Sequence, residues 1–213
     1  MKAESFINPY IEELLRFAKK EGERLVKDCC IPGARYVIGG SLGYKALLRG
    51  NYDIDLRLLL PENENVRGQI DLVRDILSGQ AANDKTFTTR LIDEGGTNYI
   101  QHTKRFVKVE GIPDNPDVEL SWNIQSEASY RSISELSARM PGFVIDNFVI
   151  AKGVAKEESQ EAYKKVKEQW KAMIKWMLDS GARGMNNEEF HKILEKAKGQ
   201  YPLFWSSDFS VGQ

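Results

Sequence analysis

Apolar positions recur at helical spacing near the start of the chain and again throughout its last third. Residues from about Asn8 to Cys29 are predicted to form a helix, because Leu14, Ala18 and Leu25 share one face between charged positions. The same spacing predicts further helices at Glu64 to Leu77, in EESQEAYKKVKEQWKAMIKWMLDSG and in NNEEFHKILEKAKGQY. The segment SISELSARMPGFVIDNFVIAKGV is predicted to form two helices with a break near Pro141-Gly142. The apolar tail PLFWSSDFSVGQ is expected to pack on the body of the protein.

Short apolar runs predict strands only in the first part of the chain. The predicted strands are ARYVIGG, YDIDLRLLLP, YIQHTKRFVKVEGI and DVELSWNI, with a further strand and turn in KTFTTRLIDEGGTN. Between the first two strands lies LGYKALLRG, for which we predict a short helix capped by Ser41 and ended by Gly50. Because mixed sequence precedes purely helical sequence, we predict an α+β protein with an α/β domain at residues 1–125 and a helical domain at residues 126–213.

Composition narrows the class of protein. Of the 213 residues, 41% are hydrophobic and 29% are charged, a balance typical of soluble globular proteins. The net charge of -1 gives no global basic field for a long nucleic acid or an anionic membrane. Cys29 and Cys30 are adjacent and the two histidines are far apart, so we expect no zinc site and reduced cysteines in a cytoplasmic protein. No apolar run reaches membrane-spanning length, and the acidic, amphipathic N-terminus does not resemble a signal peptide.

The segment GGSLGYKALLRGNYDID, from Gly39 to Asp55, carries the candidate chemistry. Successive side chains on a strand point to opposite faces, so Asp53 and Asp55 should point the same way, with Arg57 beside them. Two carboxylates this close repel each other unless a cation lies between them, and Mg²⁺ prefers such hard oxygen ligands. The alternative interpretation is an exposed strand face without a ligand.

Upstream of the aspartates, Gly39, Gly40 and Ser41 lie between a predicted strand and a predicted helix start. Glycine lets a ligand approach the backbone, and a helix N-terminus offers free amides to phosphate. Ser41 adds a hydroxyl donor. A phosphate site facing a metal-binding pair is suited to metal-assisted phosphoryl or nucleotidyl transfer.

The elements follow one another in the order strand, Gly-Ser, helix and a strand with Asp-x-Asp. In this order the sequence resembles the nucleotidyltransferase superfamily related to DNA polymerase beta. Gly40-Ser41 followed by Asp53-Ile54-Asp55 matches the family pattern, and the resemblance covers roughly Arg35 to Asn123. It implies a mixed sheet with helices on one side, followed by a C-terminal helical segment. It identifies no subfamily.

The resemblance also implies a third carboxylate on a later strand. Glu119 in DVELSW is the best match, because it lies between Val118 and Leu120 within the predicted strand. The family usually has aspartate at this position, and Asp117 is the other candidate. If Glu119 does not act as the third carboxylate, the protein would bind nucleotides without turning them over.

The superfamily implies a reaction and a set of site residues. An acceptor oxygen would attack the α-phosphorus of a nucleoside triphosphate and release pyrophosphate. Two Mg²⁺ ions, with Mn²⁺ as a substitute, would be held by Asp53, Asp55 and Glu119, and the triphosphate by Gly39, Gly40 and Ser41. The acceptor is open between a small molecule, a protein side chain, an RNA end and a second nucleotide. Tyr99, His102, Lys104 and Arg105 could line its site, although a histidine such as His102 is more often a plain surface residue. A catalytically silent nucleotide-binding or partner module is the alternative function.

Overall fold

A computed structural model describes residues 2–93, 99–128, 130 and 133–205, apart from the side chains of residues 92, 93, 99 and 134. The α-helices are α1 (Ile11–Cys29), α2 (Gly40–Gly43), α3 (Val66–Gln80), α4 (Ile133–Ala138), α5 (Gly142–Glu158), α6 (Gln160–Asp179) and α7 (Asn187–Gln200). The strands are β1 (Arg35–Ile38), β2 (Asp53–Leu60), β3 (Thr88–Asp93), β4 (Tyr99–Val107) and β5 (Val118–Ser126). Short 3-10 helices lie at Ala3–Ser5, Ala182–Gly184 and Pro202–Phe204.

The strands form one mixed sheet in the order β1-β2-β5-β4-β3. Strands β2 and β5 run parallel, and the other neighbours are antiparallel. Helices α1 and α3 pack against the sheet and against each other. The β2 residues on the apolar face, Ile54, Leu56 and Leu58, are fully buried. The predicted α+β class, with a mixed sheet, helices on one side and helices after it, is confirmed.

The chain divides into two compact units. The sheet unit consists of Tyr10–Gly43 and Tyr52–Arg131, and the helical unit consists of Met1–Pro9, Tyr44–Asn51 and Ser132–Gln213. Two early segments therefore join the later helices, which the sequence pattern did not indicate. The domain division at residue 125 stays a prediction.

An aromatic cluster forms the centre of the helical unit. Phe148 of α5 stacks on Trp170 of α6 with ring centroids 4.2 Å apart, and Phe204 meets Trp170 edge-on at 5.2 Å. Such ring pairs add about 0.5–1.5 kcal/mol beyond the burial of their area. The predicted apolar face of α6 is confirmed, because Met173 and Met177 are also fully buried. Phe204 confirms the predicted packing of the first part of the tail, whereas residues 206–213 lie outside the described residues.

The segment after Gly43 is not helical, so the helix predicted for LGYKALLRG is wrong beyond its first residues. Its backbone groups bond to the N-terminal segment instead. The Asn8 N–H donates to the Leu47 carbonyl at 2.8 Å, and the Arg49 N–H donates to the Phe6 carbonyl at 2.7 Å. Because these partners are distant in sequence, no local pattern could reveal them.

The other predicted helices and strands are present with small shifts at their ends. The strand predicted within KTFTTRLIDEGGTN is β3, and the turn predicted after it falls on residues 94–98, outside the described residues. Within the described part of the chain, no helix is both long and apolar enough to cross a membrane.

Candidate active site

Strand β2 presents two aspartates on the polar face of the sheet. Its alternation places Asp53 and Asp55 opposite the buried residues Ile54 and Leu56. Asp53 is exposed at the start of the strand, and Asp55 is half-buried two residues further along. The predicted alternation is confirmed, whereas a role for these carboxylates in binding metal stays a prediction.

The glycine turn lies directly against the second aspartate. Because β1 pairs antiparallel with β2, the turn after Ile38 arrives beside Asp55, and the Gly39 N–H donates to the Asp55 carbonyl at 2.7 Å. Gly40 has a left-handed φ of 58°, and a Cβ atom on it would overlap the Asp55 carboxylate. Glycine alone permits both this backbone conformation and this approach without strain. The fold thus brings the predicted turn and the predicted acid pair together.

Ser41 lies inside α2, a helix of four residues. It does not cap the longer helix that was predicted, because that helix is absent, and Lys45 instead has a left-handed φ of 58°. Lys45 and Arg49 therefore do not lie on a helix that follows the glycine turn. What remains of the predicted phosphate site is the backbone of Gly39 and Gly40 with the Ser41 hydroxyl, and its role stays a prediction.

Strand β5 places Glu119 beside the aspartates. The parallel register pairs Asp53 with Glu119 and Asp55 with Ser121. Neighbouring strands lie about 4.8 Å apart, and residues paired in register point to the same face. The fold therefore brings Asp53, Asp55 and Glu119 to one face, at the same end of two adjacent strands.

The rival acid, Asp117, lies outside the strand. Strand β5 begins at Val118, and the Asp117 side chain is 69% exposed and pairs with Lys108 at 2.7 Å. Glu119, in contrast, lies within the strand. The assignment of the third carboxylate to Glu119 rather than to Asp117 stays a prediction.

A lysine that the sequence did not connect with the acids contacts Glu119. Lys104 Nζ lies 2.5 Å from Glu119 Oε2, and Ser121 Oγ lies 3.4 Å from Glu119 Oε1. Lys104 belongs to β4 and stands opposite Ser121 in the antiparallel register, so all three side chains share the polar face. The sequence shows the alternation within β4 but not the register between β4 and β5, and the pair follows from that register.

The other residues proposed for an acceptor site separate between the two faces. His102 shares the polar face, where its Nδ1 lies 2.8 Å from Asn123 Oδ1. Arg105 points to the opposite face and pairs with Glu21 of α1 at 3.4 Å. The side chain of Tyr99 lies outside the described residues.

The donor set suits a hard divalent cation. Asp53 and Asp55 supply carboxylate oxygens on one face, and the missing side chain of Gly40 leaves room for the Asp55 carboxylate against the turn. Among the described residues, no group of three or more histidine, cysteine, aspartate or glutamate side chains is arranged to hold a metal ion. The aspartate pair therefore fits Mg²⁺ in chemistry, while the carboxylate of Glu119 is engaged by Lys104.

No family model matches the sequence, and no curated protein matches it. Solved structures of the Cid1 poly(U) polymerase and of a cytoplasmic RNA terminal U-transferase are similar to this chain. Cid1 in complex with its short product ApU is 15% identical, with a TM-score of 0.47, over 71% of this chain and 42% of that one. Cid1 poly(U) polymerase bound to Mg 3'-dATP is 14% identical, with a TM-score of 0.49, over 72% of this chain and 44% of that one.

A cytoplasmic RNA terminal U-transferase is 13% identical to this chain, with a TM-score of 0.43, over 72% of this chain and 43% of that one. The similar part spans less than half of the length of the chain in each of these three structures.

Proposed function

We propose that the chain is a Mg²⁺-dependent nucleotidyltransferase. In the reaction, an acceptor hydroxyl oxygen bonds to the α-phosphorus of a nucleoside triphosphate. The bond from that phosphorus to the bridging oxygen of the β-phosphate breaks, pyrophosphate leaves, and the hydroxyl proton is lost to a base or to water. One observation carries the proposal: the Gly39-Gly40 turn packs on Asp55, while Asp53 lies opposite Glu119 in register.

The residues of the sheet unit divide between two tasks. Asp53 and Asp55, with Glu119 as the third carboxylate, hold up to two Mg²⁺ ions, and Mn²⁺ can replace them. The bound ions would supply positive charge that stabilises the phosphates as the leaving group departs. The backbone of Gly39 and Gly40, which packs against Asp55, would face the triphosphate, and Ser41 would offer a hydroxyl donor.

The acceptor is a hydroxyl group, and the residues of the site do not specify which molecule carries it. A net charge of -1 provides no broad basic field for a long nucleic acid. The acceptors to be tried are therefore small molecules, protein side chains, RNA ends and second nucleotides. Each of the four nucleoside triphosphates is a candidate donor, ATP included.

The test is release of labelled pyrophosphate from each triphosphate with Mg²⁺ and a panel of these acceptors. We expect release that depends on Mg²⁺. Asp53→Asn with Asp55→Asn should lower it more than about 100-fold, because the metal ligands are lost. The fold should persist, since two repelling carboxylates are removed. Release at the wild-type rate by this double variant would refute the proposed site.

A catalytically silent nucleotide-binding module is the second candidate function. The contact of Lys104 with Glu119 favours it, because it engages the third carboxylate. Such a module would bind nucleoside triphosphates with an affinity that depends on Mg²⁺, and would release no pyrophosphate with any acceptor. Calorimetric titration of each triphosphate, with and without Mg²⁺, combined with the pyrophosphate assay, separates the two functions.

A further inference from the structure

The ion pair between Lys104 and Glu119 lies next to the proposed metal site. It joins neighbouring strands on the polar face, with 2.5 Å between Lys104 Nζ and Glu119 Oε2. The other carboxylate oxygen of Glu119 has Ser121 Oγ at 3.4 Å. Both oxygens of the third carboxylate therefore have a partner within the sheet.

An ammonium group and a divalent ion compete for the same carboxylate. Asp53 and Asp55 lie two residues apart on β2, so a first ion held between these two carboxylates would not need Glu119 from the neighbouring strand. A second ion that used Glu119 would have to displace Lys104, and would be repelled by its charge until that occurs. Asp53 and Asp55 contribute the same charge with or without Lys104.

We infer that Lys104 is a positioning residue that holds Glu119 and sets the affinity of the second divalent ion, while the first ion binds independently of it. This inference rests on the proposed function, because it assumes that Asp53 and Asp55 bind the first ion. It assigns to Lys104 a role in metal loading, so that Glu119 becomes a metal ligand only as the lysine moves away.

The chain contains a matched control for this pair. Lys108 pairs with Asp117 at 2.7 Å, with side chains that are 53% and 69% exposed, against 34% and 32% for Lys104 and Glu119. Both pairs join a lysine of the β4 region to an acid of the β5 region. Asp117 precedes the strand and is not in register with Asp53. Removal of Lys108 should therefore leave metal binding unchanged.

The experiment is Mn²⁺ titration monitored by electron paramagnetic resonance, at fixed pH, with a non-hydrolysable ATP analogue bound to the full chain. Lys104→Met should tighten the second Mn²⁺ site by on the order of tenfold, from the loss of a competing ion pair and of cation repulsion. The first site should change by less than about twofold. Lys108→Met should bind both ions with the affinities of the wild type. Lys104→Arg keeps the positive charge and should therefore bind the second ion as weakly as the wild type does.

Adding Glu119→Gln to Lys104→Met should abolish the tight second site. That loss would show that Glu119, once freed from Lys104, is the ligand of the second ion. Equal affinities for the second ion in the wild type and in Lys104→Met would overturn the role of Lys104 and leave the proposed function intact. Absence of Mn²⁺ binding from every variant would overturn the inference together with the metal dependence on which it rests. A merely structural role for Lys104 would change the stability of the chain without moving the affinity of the second ion.

Discussion

At the scale of single residues, Gly40 has the strictest steric requirement in the candidate site. Gly40→Ala should place a methyl group where the Asp55 carboxylate lies, at a left-handed φ of 58°. The backbone strain costs about 1–2 kcal/mol, and the overlap adds about 1–3 kcal/mol. We expect loss of stability in urea unfolding and weaker Mg²⁺-dependent nucleotide binding.

Gly50 provides the matched control for that substitution. It also has a positive φ, of 77°, but nothing lies within 4 Å of the position of its Cβ atom. Gly50→Ala should therefore cost only the backbone strain, about 1–2 kcal/mol, and leave nucleotide binding unchanged. Equal losses in the two variants would mean that the contact between Gly40 and Asp55 has no energetic consequence.

The two candidate acids of the β5 region differ in what surrounds them. Glu119→Gln should lower the chemical step about 100-fold while nucleotide affinity changes little, because the aspartate pair still holds one ion. Asp117→Asn should stay within about twofold of the wild type, since its ion pair with Lys108 is exposed. Single-turnover kinetics separate the chemical step from binding. Greater damage from Asp117→Asn would transfer the third carboxylate to that residue.

At the scale of secondary structure elements, α1 and β1 meet at Gly22 and Tyr36. A Cβ atom at position 22 would overlap the Tyr36 ring, so the glycine allows the helix to approach the strand. Burial raises the pKa of the Tyr36 hydroxyl above its ordinary value, and the negative charge of Glu23 raises it further. The contact between helix and strand therefore favours the neutral tyrosine.

This raised pKa predicts how stability depends on pH. Because the folded protein holds the proton of Tyr36 more tightly than the unfolded chain does, the contribution to stability is fully present below about pH 10. It is lost as the pH rises through the folded pKa. Tyr36→Phe should remove this loss, so urea unfolding from pH 8 to pH 11 should show a smaller decline than in the wild type. Parallel declines would contradict the assignment.

The sequence predicted most elements, because their patterns are local. The apolar face of α1, with Leu14, Ala18 and Leu25, is buried as its spacing indicates. The alternation in β2 likewise predicted that Asp53 and Asp55 share a face. The segment after Gly43 was predicted wrongly, because its carbonyl and amide groups pair with residues near the N-terminus.

The contact of Lys104 with Glu119 could not be predicted for a related reason. It depends on the register of two strands joined by a connection of irregular backbone between Val107 and Val118. Local alternation gives the face of each side chain but not its partner on the next strand. The sequence thus predicted the motif residues of the site and their order along the chain. It did not predict which side chains pair across neighbouring strands.

At the scale of the whole molecule, each unit is assembled from separate stretches of chain. A fragment of residues 10–131 would contain the sheet unit together with Ala46, Leu47 and Leu48, which are at most 2% exposed in the intact protein. Ala46 and Leu48 belong to the core of the helical unit. We expect this fragment to aggregate, because it exposes apolar side chains that the intact chain buries.

A second fragment tests that explanation. Replacement of residues 44–51 by a Gly/Ser linker of equal length removes the apolar segment and keeps every strand of the sheet. This fragment should remain monomeric in size-exclusion chromatography, with the β-sheet signal in circular dichroism. Aggregation of both fragments to the same extent would show that residues 44–51 are not the cause.

The discontinuous helical unit also has a consequence for synthesis on the ribosome. Residues 44–51 leave the exit tunnel well before Ser132, where the remainder of their own unit begins. At bacterial or eukaryotic elongation rates the interval of roughly 80 residues lasts on the order of 10 s. Throughout that time the N-terminal partners of this segment are present, but the later helices whose core Ala46 and Leu48 join have not been made. The helical unit can therefore be completed only late in translation, and we expect chaperones to bind this apolar segment until then.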